Sequence, residues 1–130
     1  MMETAARAAT TEDRTELARL YALLANEMTA LDDLWPQTRG IAGDPGAALL
    51  ERADDPDRVV RIGTIDGVPV GFCTAVTAGA GDGTTVGLVE FIFTEEAARG
   101  VGIGHEMLEA VLAVLRERGE SRFDVRVPPG

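Results

Sequence analysis

The hydrophobic positions of the chain fall into two rhythms. Leu17, Leu20, Tyr21, Leu24 and Met28 recur at helical spacing, with Arg14, Glu16 and Arg19 left for solvent. A helix with one apolar face for packing on a sheet is expected there. Thr10 and Thr11 are its candidate N-caps, and Glu12 and Asp13 occupy the first turn, where negative charge is favoured. Ahead of it, TAARAAT reads as a short first strand. Past residue 57 the period changes. RVVRIGTIDGVPVGFCTAVTA is two β-rich runs around Asp66-Gly67, a dipeptide that tolerates the positive φ values of a tight hairpin. GAGDGTT is a second turn, and TVGLVEFIFT is a further strand of an antiparallel meander. These strands are apolar on both faces, Val70 and Phe72 against Cys73 and Ala75, so layers must cover the sheet on both sides.

Ile103, Met107, Leu108, Val111, Leu112 and Leu115 mark the buried face of another helix, and SRFDVRVPPG reads as a last strand and a turn. The stretch 29–57 is different: three prolines and seven acids predict a surface loop with a short helix near Ala47–Arg52, suited to a substrate lid. Trp35 in that stretch either lines a pocket or pins the loop to the core. Asp32 and Asp33 either meet a cationic substrate or are solvated.

Composition narrows the chemistry. A chain of 130 residues, 45% of them hydrophobic, supports one domain with a modest core. Its net charge of −10 disfavours nucleic acid and anionic lipid as partners and favours a cationic small molecule or basic peptide. All twelve basic residues are arginines, so mechanisms built on a lysine Schiff base or a P-loop lysine are excluded. Cys73 is the only cysteine: no intrachain disulfide and no cysteine cluster for a metal can form, and core packing is the expected role. The N-terminal stretch has no apolar core of signal-peptide type and no aliphatic run is long enough for a span, so a soluble, cytoplasmic protein is expected.

The most informative stretch is EEAARGVGIGHEML, residues 95–108. Gly100, Gly102 and Gly104 lie between a strand and a helix, so the first helical N–H groups are unpaired and sterically open. With the helix dipole behind them, such donors form an anion site suited to phosphate or pyrophosphate, and Arg99 adds charge at its rim. The spacing is not G-x-G-x-x-G, and the preceding strands are antiparallel, which disfavours a dinucleotide-binding βαβ unit. A blander alternative is that the glycines only let helix and strand pack closely. His105, next to them, either touches a phosphate or is an exposed first-turn histidine.

Arg99-Gly100-Val101-Gly102-Ile103-Gly104 resembles the acyl-CoA signature of the GNAT superfamily of N-acetyltransferases: arginine or glutamine, two free positions, glycine, one free position, then glycine or alanine. The context is similar too, with a preceding hairpin like residues 58–78 and an opening helix like residues 8–26, so the resemblance covers about the first 127 residues. It implies a single α+β domain over residues 1–130, with a mostly antiparallel central sheet of about five strands and helices on both faces. It also implies acetyl-CoA as co-substrate and no metal. The backbone N–H groups of Arg99, Gly100, Val101, Gly102, Ile103 and Gly104 would hold the CoA pyrophosphate. Ile92, Phe93 and Thr94 would pair with the pantetheine arm as an added strand. An amine of a small molecule or peptide would attack the thioester directly, a backbone N–H on this strand polarising its carbonyl.

Glu90, a carboxylate in an otherwise apolar strand, is the candidate general base; an ion pair with an arginine or a solvated position is the alternative. After the fifth strand the family pattern continues with a helix and two strands, often bearing a tyrosine that protonates the departing thiolate. No counterpart precedes Gly130, and Tyr21, the sole tyrosine, lies in the first helix. Three expectations follow: a C-terminally shortened chain, a homodimer completing the sheet in trans, or a CoA-binding module without turnover.

Overall fold

The computed structural model describes residues 2–125. The first strand, β1 (Thr4–Ala8), leads through a 3-10 turn, Thr11–Asp13, into the long helix α1 (Arg14–Leu31). Thr10, one of the two candidate N-caps, precedes this turn: its N–H donates to Asp13 Oδ2 at 2.8 Å, and the Asp13 N–H donates to the Thr10 carbonyl at 2.9 Å. Asp13 does more than favour the dipole. It is buried, and both of its oxygens accept from Arg7 of β1, at 2.8 and 2.9 Å, which ties strand to helix.

The stretch 29–57 is largely helical rather than loop. α1 runs on to Leu31, a single turn α2 covers Trp35–Thr38, and α3 covers Pro45–Asp54. Two of the prolines that read as loop punctuation stand at helix starts, where the missing N–H costs nothing. Asp44 caps α3 by accepting from the Ala47 N–H at 3.1 Å.

Strands β2 (Arg58–Ile65), β3 (Val68–Gly79) and β4 (Thr85–Thr94) form the expected meander. Its first turn has positive φ at Asp66 (50°) and Gly67 (82°). A second 3-10 turn, Glu96–Ala98, precedes α4 (Ile103–Glu117), and the chain returns to the sheet as β5 (Phe123–Val125); the rest of the predicted last strand lies outside the described residues. The five strands lie in chain order, all antiparallel except β4 with β5, which are parallel.

Helices cover both faces, as the two-sided apolar pattern requires. On one face Leu17, Leu20, Tyr21, Leu24, Trp35 and Leu49 pack against Ile62, Phe72, Phe91 and Phe93. On the other, Ile103, Met107, Val111 and Leu115 of α4 pack against Val59, Cys73, Ala75 and Val89. α4 sits close because Gly63 has no side chain: a Cβ there would lie 2.7 Å from Ile103 Cγ2 and 2.8 Å from Met107 Sδ.

Candidate active site

β4 organises the site. Between β3 and β4 the pairing steps from Thr74 with Phe91 to Ala75 with Val89, so Glu90 is an extra residue in a β-bulge. Val89 faces the α4 layer, whereas Phe91 belongs to the core on the α1 side. The bulge absorbs the step between them and leaves Glu90 and Phe91 both on the wall of one cleft. Among the described residues β5 pairs with Gly87, Leu88 and Val89 of β4.

The cleft, about 730 Å³, lies between β4 and the second half of α1. Leu24, Met28 and Leu31 form one wall and Phe91 and Phe93 the other. Trp35 closes it from α2, and both expectations for this residue hold: it lines the cleft and it is anchored, with its ring 6.1 Å from Tyr21 and 6.4 Å from Phe91. Ile92 and Thr94, the other residues expected along a pantetheine arm, also line it. Asp32 and Asp33 are exposed and stand outside it, Asp32 accepting the Leu34 N–H at 3.0 Å.

Glu90 marks one end of the cleft. Its Oε1 accepts from Arg58 Nη1 at 2.8 Å, and its side chain keeps about a quarter of its surface in solvent (25%). The ion pair weighed for this residue is therefore present, and it fixes where the carboxylate points. Arg58 also approaches Asp55, with Nε 3.5 Å from Oδ2. Arg52 of α3 stacks on Phe91, its Cζ 5.5 Å from the ring centroid. Burial holds the Arg52 guanidinium below its ordinary pKa, opposed by the charge of Glu90.

The glycine loop follows β4 through the Glu96–Ala98 turn. Gly100 and Gly102 have φ of 88° and 89°, angles that side-chain-bearing residues rarely adopt, and a Cβ on either would meet nothing within 4 Å. These glycines thus serve the backbone's course and not the packing of helix on strand, which removes the blander explanation for them. Gly104 is nearly as open, its nearest neighbour being Thr94 Oγ1 at 3.9 Å. The first bond of α4 runs from the Glu106 N–H to the Gly102 carbonyl at 3.0 Å, so the N–H groups of Ile103, Gly104 and His105 are the open end of the helix. Val101 is exposed in the loop, whereas the side chain of Ile103 is in the core, so Ile103 offers only its backbone. His105 is exposed on the first turn.

Arg99 differs from expectation. Its backbone N–H closes the preceding turn on the Glu96 carbonyl at 3.3 Å. Its guanidinium does not stand free at the rim of the anion site: Nη2 donates to both oxygens of Glu27, at 2.9 and 2.7 Å, and Nε to the Thr94 carbonyl at 2.8 Å. The side chain lies over Phe93 and lines the cleft. Glu27 was missed at the level of sequence, although a signal existed: it falls three residues after Leu24 and seven after Leu20, a charge on an apolar stripe.

Two other groups are structural. Cys73 is fully buried and burial pushes its thiol up to about 12, which fits core packing. The Tyr21 hydroxyl accepts the Ile41 N–H at 2.5 Å and so holds the α2–α3 connection. Among the described residues no group of three His, Cys, Asp or Glu side chains could hold a metal ion, and no helix is long and apolar enough to cross a membrane.

A five-stranded mixed sheet with a bulged β4, an open glycine turn before α4 and a cleft along β4 make up an α+β fold with helices on both faces. Residues 8–128 match the model of the Acetyltransferase (GNAT) family, and the chain belongs to that family. Solved structures share the fold. An acetyltransferase from Vibrio fischeri superposes with a TM-score of 0.71 at 21% identity, over 95% of this chain and 95% of that one. The ribosomal-protein-alanine N-acetyltransferase from Brucella melitensis biovar Abortus 2308 gives 0.68 at 22% identity, over 98% and 80% of the two chains. A predicted acetyltransferase from Clostridium acetobutylicum, crystallised with acetyl-CoA, gives 0.67 at 15% identity, over 98% and 81%. No curated protein sequence matches the chain.

Proposed function

We propose that the protein transfers the acetyl group of acetyl-CoA to a primary amine of a small molecule or peptide, by direct attack and without an acyl-enzyme. The observation that carries this reading is that β4, with Glu90 in its bulge and Phe93 and Thr94 along the cleft, leads through the Glu96–Ala98 turn into the open glycine loop. The pyrophosphate of CoA is held by the N–H groups of Gly100, Val101, Gly102, Ile103 and Gly104, whose helix end suits an anion. The pantetheine arm runs beside Ile92, Phe93 and Thr94 as an added strand, which brings the thioester towards the bulge.

There the amine nitrogen attacks the thioester carbonyl carbon, a backbone N–H of β4 steadies the oxyanion, and the C–S bond breaks as the amide forms. Glu90 takes the proton that the nitrogen loses, directly or through one water, and Arg58 keeps its carboxylate oriented. The CoA thiolate is protonated from solvent. The net charge of −10 draws the ammonium form of the acceptor towards the protein. A second copy of the chain beside β5 would extend the sheet; light scattering of the purified protein reports whether a dimer forms.

The test is calorimetric titration with acetyl-CoA, paired with an assay for free CoA thiol in the presence of an amine panel. Micromolar binding with amine-dependent thiol release supports the transferase. Binding without thiol release for any amine would make the chain a CoA-binding module, and no binding would remove the cofactor assignment altogether.

A further inference from the structure

We propose that Glu27 and Arg99 form a clasp that acetyl-CoA must open to bind: the Arg99 guanidinium holds the Thr94 carbonyl on the free edge of β4, where the pantetheine arm adds as a strand, and Glu27 is the positioning residue that keeps it there. This rests on the transferase reading and adds a gate to its cofactor site. The Thr94 C=O and the Glu95 N–H belong to one trans peptide, so they point in opposite directions. The Glu95 N–H donates to the Val70 carbonyl of β3 at 2.8 Å. The Thr94 carbonyl therefore points away from β3, to the side of β4 on which the described part of β5 reaches only Gly87, Leu88 and Val89. On that side its oxygen accepts from Arg99 Nε at 2.8 Å.

Glu27 fixes the other side of the guanidinium from α1, both of its oxygens accepting from Arg99 Nη2, at 2.9 and 2.7 Å. The group thus ties α1 to the edge of β4, with its Cζ 5.7 Å from the centroid of the Phe93 ring. Glu27, Thr94 and Arg99 all line the cleft. Thr94 also stands beside the glycine loop, its Oγ1 3.9 Å from where a Cβ on Gly104 would lie. An arm that leaves the loop for Glu90 therefore passes Thr94 first, and a strand added there needs the carbonyl that Nε already occupies. The clasp is built to yield. Its two side chains keep 45% and 43% of their surface in solvent, and an ion pair so exposed is weak. Closed, it covers an acceptor on a bare strand edge that otherwise invites pairing with another chain.

The experiment compares acetyl-CoA with 3′-phospho-ADP, the nucleotide half of CoA, which carries the phosphates and no arm. Both are titrated calorimetrically into the full chain as wild type, Glu27→Gln and Arg99→Ala. Because the phosphates are common to the two ligands, the ratio of their affinities largely cancels the effect of a changed charge on the protein and reads the arm. Removing the clasp from either side is expected to raise that ratio in favour of acetyl-CoA by about threefold to fivefold, the scale of an exposed ion pair. The direction is the same in both variants, although one loses a negative charge and the other a positive one. A ratio that is unchanged or lowered in either variant would overturn the proposal, a lowered one showing that the pair supports the arm. The transferase reading fails separately: acetyl-CoA that binds none of the three proteins removes the cofactor site and the clasp with it, whereas binding at an unchanged ratio removes the clasp alone.

Discussion

Glu90 and Phe91 are neighbours in sequence whose side chains share one wall of the cleft, because the bulge between Thr74 and Ala75 places an extra residue in β4. Regular alternation would have put one of them under α4. The bulge therefore sets a carboxylate beside an aromatic wall. Glu90→Gln keeps the shape and removes the proton acceptor. It is expected to lower kcat about a hundredfold, the ordinary scale of a lost general base, with acetyl-CoA affinity unchanged by calorimetry. An unaltered kcat across pH would mean that solvent takes the proton.

The glycine loop makes a prediction with its own control. Gly102 and Gly119 both hold positive φ, 89° and 97°, with open space where a Cβ would go, one at the start of α4 and one beyond its end. Alanine at either position is expected to cost about 1–2 kcal/mol in chemical unfolding, from backbone strain alone. Only Gly102→Ala should weaken acetyl-CoA binding, and Gly102→Glu, which adds a negative charge among the anion donors, should abolish it. If Gly119→Ala weakened binding as much, general destabilisation would account for the effect.

Cys73 is predicted to be silent. Its thiol is fully buried and pushed up to about 12, so at pH 8 only about one molecule in ten thousand carries a thiolate. A thiol-labelling reagent added to the native protein should react far more slowly than with the chain in denaturant, because the thiol is reached only when the fold opens. Fast labelling that scales with reagent concentration would show a reactive cysteine instead.

The layers and the meander were legible because their signals are local. Asp66-Gly67 specifies its own turn, and the α4 stripe from Ile103 to Leu115 needs no distant partner to be recognised. The acid-rich stretch 29–57 misled because proline and aspartate serve helix starts as well as loops, and only the packing of Leu49 and Trp35 on α1 decides between them. The position of the glycine loop between β4 and α4 was legible, whereas the use of Arg99 was not. Its partner Glu27 is 72 residues away, and such a pairing has no signature in one chain. The bulge at Glu90 was likewise invisible, since register depends on β3 as much as on β4.

The Arg7–Asp13 pair gives a stability prediction with a definite sign. The Arg7 guanidinium, bonded to both carboxylate oxygens, holds the Asp13 carboxyl at about 2 against an ordinary 3.8, assisted by the Thr10 N–H. The folded value lies below the unfolded one, so folding is favoured when the group is ionised in both states. The contribution is complete above about pH 5 and is lost as pH falls through 3.8 towards 2. The shift corresponds to roughly 2 kcal/mol at neutral pH. Asp13→Asn should therefore be less stable than the wild type by about that amount in urea unfolding at pH 7, because Arg7 is left without its anion and the cap is weakened. The gap should narrow between pH 4 and pH 2, where the wild-type carboxyl itself is protonated. A gap that stays constant over that range would assign the cost to lost packing or capping, and not to the ion pair that joins β1 to α1.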